Sequence, residues 1–172
     1  MARLSEFKLW SLFSRLWPGS SQTHVAVGPW AFSLPGGWQR SDHSDLDCLY
    51  FESADQTKGC CVRSLAFSAA DFPSELSIAR HIQTIHRDSF VPQPDSHWQV
   101  LGDEVSQRSG HLFSTSELFD AQARYRILGC VLTCGQSAVQ INLHDYLCED
   151  LGASRRYFRV TERSIKAQAP DA

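Results

Sequence analysis

Six cysteines and seven histidines are the side chains of this 172-residue chain with the right chemistry to hold a metal or carry a nucleophile. Ligand-type pairs occur at Cys60-Cys61, at Cys130 with Cys134, and at His144 with Cys148. A structural zinc site draws such residues from closely spaced pairs on a turn. On one continuous strand, Cys130 and Cys134 lie roughly 13 Å apart, too far for a single ion. Cys60 and Cys61 then point to opposite faces of their strand. His144 and Cys148 share a helical face only if the strand has ended before them. The six cysteines are therefore expected to be reduced, small, mostly buried hydrophobes, with no metal and no cofactor. A chain of this length and ordinary apolar content needs no disulfide staples, which places it in a reducing compartment, the cytoplasm.

Catalytic signatures fare no better. No Gly-x-Ser-x-Gly elbow is present, and no cysteine sits in a recognisable nucleophile motif. His144-Asp145 is a neighbour pair, but adjacent strand residues face opposite ways. Pro35-Gly36-Gly37 lacks the following helix that a phosphate loop requires. The expectation is that the chain is not an enzyme.

Charge is the other source of function. The net charge of −3 excludes a general nucleic-acid binder, which carries a basic excess. Between Asp42 and Asp55 there are five carboxylates, Asp42, Asp45, Asp47, Glu52 and Asp55, and no Lys or Arg. Such a stretch is either a solvated hairpin edge or a docking surface for a basic partner, with Trp38 and Tyr50 as aromatic anchors. The candidate partner-binding residues are Trp38, Asp42, Asp45, Asp47, Tyr50 and Glu52. A second candidate is the cationic face of the last predicted helix, with Arg155, Arg159 and Arg163 at helical spacing. It is a solubilising face, or a grip for an acidic partner or anionic lipid.

The elements that must position these residues follow from periodicity. "VGPWAFSL", "LDCLYFES" and "KGCCVRSLAF" read as strands, with a hairpin turn at Asp55–Gly59. Ser74 caps a helix running to about Ser89. "HWQVLGDEVSQ", "HLFSTSELF", "ARYRILGCVLTCG" and "SAVQINLHDYL" read as four further strands, with turns at Arg108–Gly110 and Gly135-Gln136. A helix over about Ser154 to Gln168 closes the chain, with Tyr157, Phe158, Val160, Thr161 and Ile165 opposite its cations. The order β-β-β-α-β-β-β-β-α implies hairpin pairing and an α+β domain: an antiparallel β-sheet flanked by helices. Residues 1–22 read as an amphipathic segment followed by the linker Pro18–Ser21, and residues 23–172 as a single domain. Over residues 4–17 the apolar face packs on the domain or touches a membrane; Glu6 within that face weakens the membrane alternative.

"WAFSLPGGW", the paired strands, the long strands "ARYRILGCVLTCG" and "SAVQINLHDYL", and the helix "ASRRYFRVTERSI" resemble the α/β/α sandwich shared by PsbP and the Mog-type Ran-binding proteins. Bacterial members of that fold include DcrB-like proteins, chaperones of type VI secretion effectors and some immunity proteins. The resemblance covers about residues 25 to 167 and rests on element order and an F-x-L-P-x-G-W opening, so no site residue is carried over. It implies an intracellular protein-binding module with a protein partner, first of all an immunity protein that inhibits a cognate bacterial toxin. The alternatives are a chaperone for a type VI secretion effector, or a domain with a small-ligand or enzymatic site.

Overall fold

The structure is a computed structural model describing residues 22–41, 48–91 and 97–168. The predicted amphipathic segment and linker, and the carboxylates Asp42, Asp45 and Asp47, lie outside the described residues. The order is β1 (Gln22–Val27), β2 (Trp30–Pro35), β3 (Gln39–Arg40), β4 (Leu49–Glu52), β5 (Lys58–Ala66), α1 (Glu75–Asp88), β6 (Trp98–Arg108), β7 (His111–Asp120), β8 (Tyr125–Cys134), β9 (Ser137–Asp145), α2 (Leu151–Ser164) and β10 (Lys166–Ala167). The fold class is α+β, with every strand pairing antiparallel.

Two sheets form where one was expected. A seven-stranded sheet runs β3-β4-β5-β9-β8-β7-β6, and a three-stranded sheet runs β1-β2-β10. One face of the large sheet is covered by α2 and the small sheet. Trp30, Phe32 and Leu34 of β2 join Val62, Leu132, Ile141, Leu143 and Phe158 there in the main core. The opposite face takes α1, whose Ile78 and Ile82 pack on Val131 and Ala138. Helix α1 starts as read: the Ser74 side chain accepts from the Ser77 backbone, and Ser77 returns the bond. Glu75 then ties the helix start to two hairpins, accepting from the Gly135 and Leu112 amides at 2.6 and 3.4 Å.

Two boundaries differ from the periodicity reading. "VGPWAFSL" is not one strand. Gly28 takes φ +56 and, with Pro29, turns the chain so that β1 and β2 form a hairpin. The last helix begins earlier, because the Asp150 side chain caps the Gly152 amide at 2.7 Å. It ends at Ser164, where Ile165 turns extended and buries itself. Val160, expected on the apolar side, is exposed, because the buried stripe is Ser154, Phe158 and Thr161.

Candidate functional site

The residues proposed as aromatic anchors of the acidic edge are used inside the molecule. Trp38 is 4% exposed, donates its indole N–H to the Tyr157 hydroxyl at 2.9 Å, and packs edge-on against Phe158. It is a core residue, which corrects its reading as a surface anchor. Tyr50 is half-buried on β4, and its hydroxyl is hydrogen-bonded to that of Tyr146. Glu52 is half-buried at the end of β4, opposite Gly59 and Gln39. Of the acidic stretch, Glu52 lies on β4, next to the edge strand β3 of the large sheet, and Asp55 lies in the turn that leads to β5.

Beyond the end of α1, the same sheet face carries a cluster that the sequence reading did not assemble. The Tyr125 hydroxyl and His144 Nδ1 are 2.7 Å apart, and the His144 ring stacks on Tyr146. Trp98 packs on Tyr125, Phe90 on Trp98, and His86 on Phe90. Gly129 lies under His86, where a Cβ would come within 2.9 Å of the imidazole; Gly59 lies under the Tyr50–Tyr146 pair. Burial sets the electrostatics. It pushes His86 down to about 4 against the pull of Asp103, and it pushes His144 down to about 4 with His86 adding to the effect. Burial also raises Tyr125 to about 12 and lifts Tyr146 further, helped by its bond to Tyr50. A general base works best with a pKa near the operating pH. Burial thus favours the neutral forms of these imidazoles and phenols in a largely buried aromatic cluster. Glycine inside a strand was the available sign of close approach at Gly59 and Gly129.

The cations of α2, with Lys166 of β10 just beyond it, divide into two groups. Arg155 binds Glu117 at 2.8 Å, and Glu117 also accepts from the buried Arg126 at 2.5 Å. Burial alone would raise the Glu117 carboxyl; the bonds from Arg155 and Arg126 outweigh it and hold the carboxyl below its ordinary range. Arg156 pairs with Asp150 at 3.8 Å. Arg159, Arg163 and Lys166 are exposed and have no ion pair among the described residues.

The cysteines depart from expectation at one place. Cys48, just before β4, and Cys61 on β5 are joined in a disulfide, with Cα atoms 6.2 Å apart, so they are not both reduced thiols. The reason is register: Cys61 lies opposite Tyr50, two residues past Cys48, and the two cysteines share a face diagonally. Cys60 and Cys130 are buried free thiols, both pushed well up by burial, and Cys134 is exposed. Among the described residues, no three His, Cys, Asp or Glu side chains gather as a metal site, and no helix is long and apolar enough to cross a membrane.

No protein-family model matches the chain, and neither does any curated protein. Among solved structures, the solution structure of cyanobacterial PsbP (CyanoP) from Synechocystis sp. PCC 6803 is similar with a TM-score of 0.62 and 15% identity, over 91% of this chain and 98% of that one. A protein from Bacteroides thetaiotaomicron VPI-5482 matches with a TM-score of 0.43 and 12% identity, over 82% of this chain and 46% of that one, too loosely to bear on the fold. The fold is PsbP-like, and at these identities the likeness extends to the fold alone.

Proposed function

We propose that this chain, with its PsbP-like fold, acts by binding another protein, and that the outer face of α2 grips an acidic surface on that partner. The observation that carries the reading is Arg159 and Arg163 on α2, with Lys166 just past its end on β10, all three exposed and without ion pairs among the described residues. Arg155, by contrast, is held by Glu117, and so anchors the helix rather than a partner. Unpaired cations on a rigid, well-packed helix steer association with an opposite surface. The acidic edge is the second surface, weakened by the loss of Trp38 to the core. Immunity against a bacterial toxin is the leading role under this reading, and shielding of a secretion effector is the other. The Cys48–Cys61 bond removes the argument from cysteine usage for a reducing compartment, and neither role depends on one.

The test begins with affinity capture from the native host and mass spectrometry of the bound protein. Association of the purified pair is then followed for the wild type, for Arg159→Glu with Arg163→Glu, and for Asp42→Asn with Asp45→Asn and Asp47→Asn. Charge reversal on α2 is expected to slow association at low salt by roughly tenfold, with the difference fading as salt rises. An unchanged rate for the arginine variant overturns the α2 reading, and slowing in the aspartate variant returns the interface to the acidic edge. Rescue of growth when the chain is co-expressed with its partner marks immunity. Solubilisation of an otherwise insoluble partner marks a chaperone.

A further inference from the structure

We infer that the sheet edge at β6 pairs with β6 of a second copy of this chain, in an antiparallel two-fold ladder centred on Val105. Strand β6 is the outermost strand of the seven, and among the described residues it pairs with β7 alone. It carries three of the six large apolar side chains exposed among the described residues: Val100 at 41%, Leu101 at 36% and Val105 at 45%. An eleven-residue edge of this kind is a template for another strand.

The local geometry selects the register. A bulge between Val100 and Gly102 leaves Leu101 without a cross-strand partner, so the regular ladder runs from Gly102 to Arg108. Ser109 and Gly110 follow with φ +50 and +83, which makes a two-residue turn of the type I′ class. Arg108 and His111 are the cross-strand pair that flanks it, and a two-residue loop makes that flanking pair a hydrogen-bonded one. Alternation then directs the backbone groups of Ser106 and Glu104 at β7, and turns those of Gln107, Val105 and Asp103 outward.

The outward groups are symmetric about Val105, which is also the midpoint of the regular segment. Pairing centred there places Val105 against Val105 of the second copy, Asp103 against Gln107, and Glu104 against Ser106. No like charges stand opposite one another, and every outward N–H and C=O from Asp103 to Gln107 finds a partner. Centring on Asp103 or Glu104 would oppose two carboxylates, which is destabilising. Centring on Ser106 shortens the ladder against the turn. Such an interface is isologous and closes on itself, so it yields a dimer and not a filament. The two Glu104 side chains meet only across the diagonal, within reach of each other.

Sedimentation equilibrium of the full chain over a concentration series tests the inference. A monomer–dimer equilibrium is expected. Val105→Lys, at an exposed position that leaves the melt intact, places two ammonium groups opposite and weakens dimerisation by roughly tenfold. Glu104→Gln removes the diagonal repulsion and tightens it about twofold. Hydrogen exchange reads the register: the amides of Asp103, Val105 and Gln107 slow as concentration rises, and those of Glu104 and Ser106 do not change. A monomer at every concentration overturns the inference. So does a dimer indifferent to Val105→Lys, or one whose added protection lies elsewhere.

Discussion

His86 is 5% exposed, and neither of its ring nitrogens has a hydrogen-bond partner among the described residues. Its pKa near 4, like that of His144, makes a prediction with a definite sign. The unfolded chain takes up protons as pH falls through 6.5, whereas the folded chain resists until about 4. Stability is therefore complete above pH 6.5 and declines between 6.5 and 4, by up to about 3 kcal/mol per histidine. Glu117 and Asp55, both depressed, act at lower pH: their contribution is lost as pH falls below the ordinary carboxylate range, for Asp55 toward 2. Denaturant melts across pH 4 to 7 check this. His86→Leu is expected to flatten the decline and to leave stability at pH 7 nearly unchanged, because it removes a buried polar group with no partner to orphan. A profile as steep in the variant as in the wild type would sink the assignment. None of this was legible in the sequence. His86 follows Ile78, Ile82 and Ile85 on a predicted helix, and spacing does not say that the helix ends over Gly129. Trp38 misled in the opposite direction: beside a glycine turn it looked exposed, but its indole N–H had a buried partner in Tyr157, 119 residues away.

At the scale of elements, hairpins and α1 were legible because their signals are local: Ser74 at the cap, Gly135 and Gly110 at turns, alternation along β8 and β9. The small sheet was not, because β10 has two residues and pairs with β2, which lies near the other end of the described chain. Two predictions belong here. The Cys48–Cys61 bond ties β4 to β5 across a sequence separation of 13, which in the chain-entropy view is worth roughly 3 kcal/mol. Non-reducing mass measurement should find the one bond between these residues, and reduction or Cys61→Ser should lower the melting temperature. Identical melts with and without reductant would mean that the link contributes nothing. Helix α2 is fastened to the sheet by Glu117, which bridges buried Arg126 and exposed Arg155, while Arg126 also donates to Ser154 at 3.1 Å. Glu117→Ala leaves the Arg126 guanidinium buried without its carboxylate and should cost about 3–5 kcal/mol in chemical denaturation. Arg155→Ala, at the exposed end of the same bridge, should cost less than about 1 kcal/mol. Equal losses in the two variants would mean that burial does not separate them.

For the whole molecule, the two sheets and two helices close on each other through residues from Val25 to Ile165, and these supply every buried apolar side chain among the described residues. The linker reading at Pro18–Ser21 placed the start of the domain one residue after β1 begins. Strand β1 is fixed by six cross-strand pairs with β2, from Gln22 opposite Pro35 to Val27 opposite Trp30, and His24 Nδ1 sits 2.9 Å from the Ser33 hydroxyl. The backbone groups of β1 that face β2 are thus satisfied within the domain, and among the described residues the buried apolar side chains begin at Val25. A chain beginning at Gln22 should therefore melt in one cooperative transition. Its stability should match that of the full chain to about 1 kcal/mol, a shift of roughly 2–4 °C for a domain of this size. Differential scanning calorimetry of the two forms, side by side, decides it. A broad or absent transition in the shortened chain would place part of the core in the removed segment, and a cut at Gly28, which deletes β1, supplies the destabilised reference against which that outcome is judged.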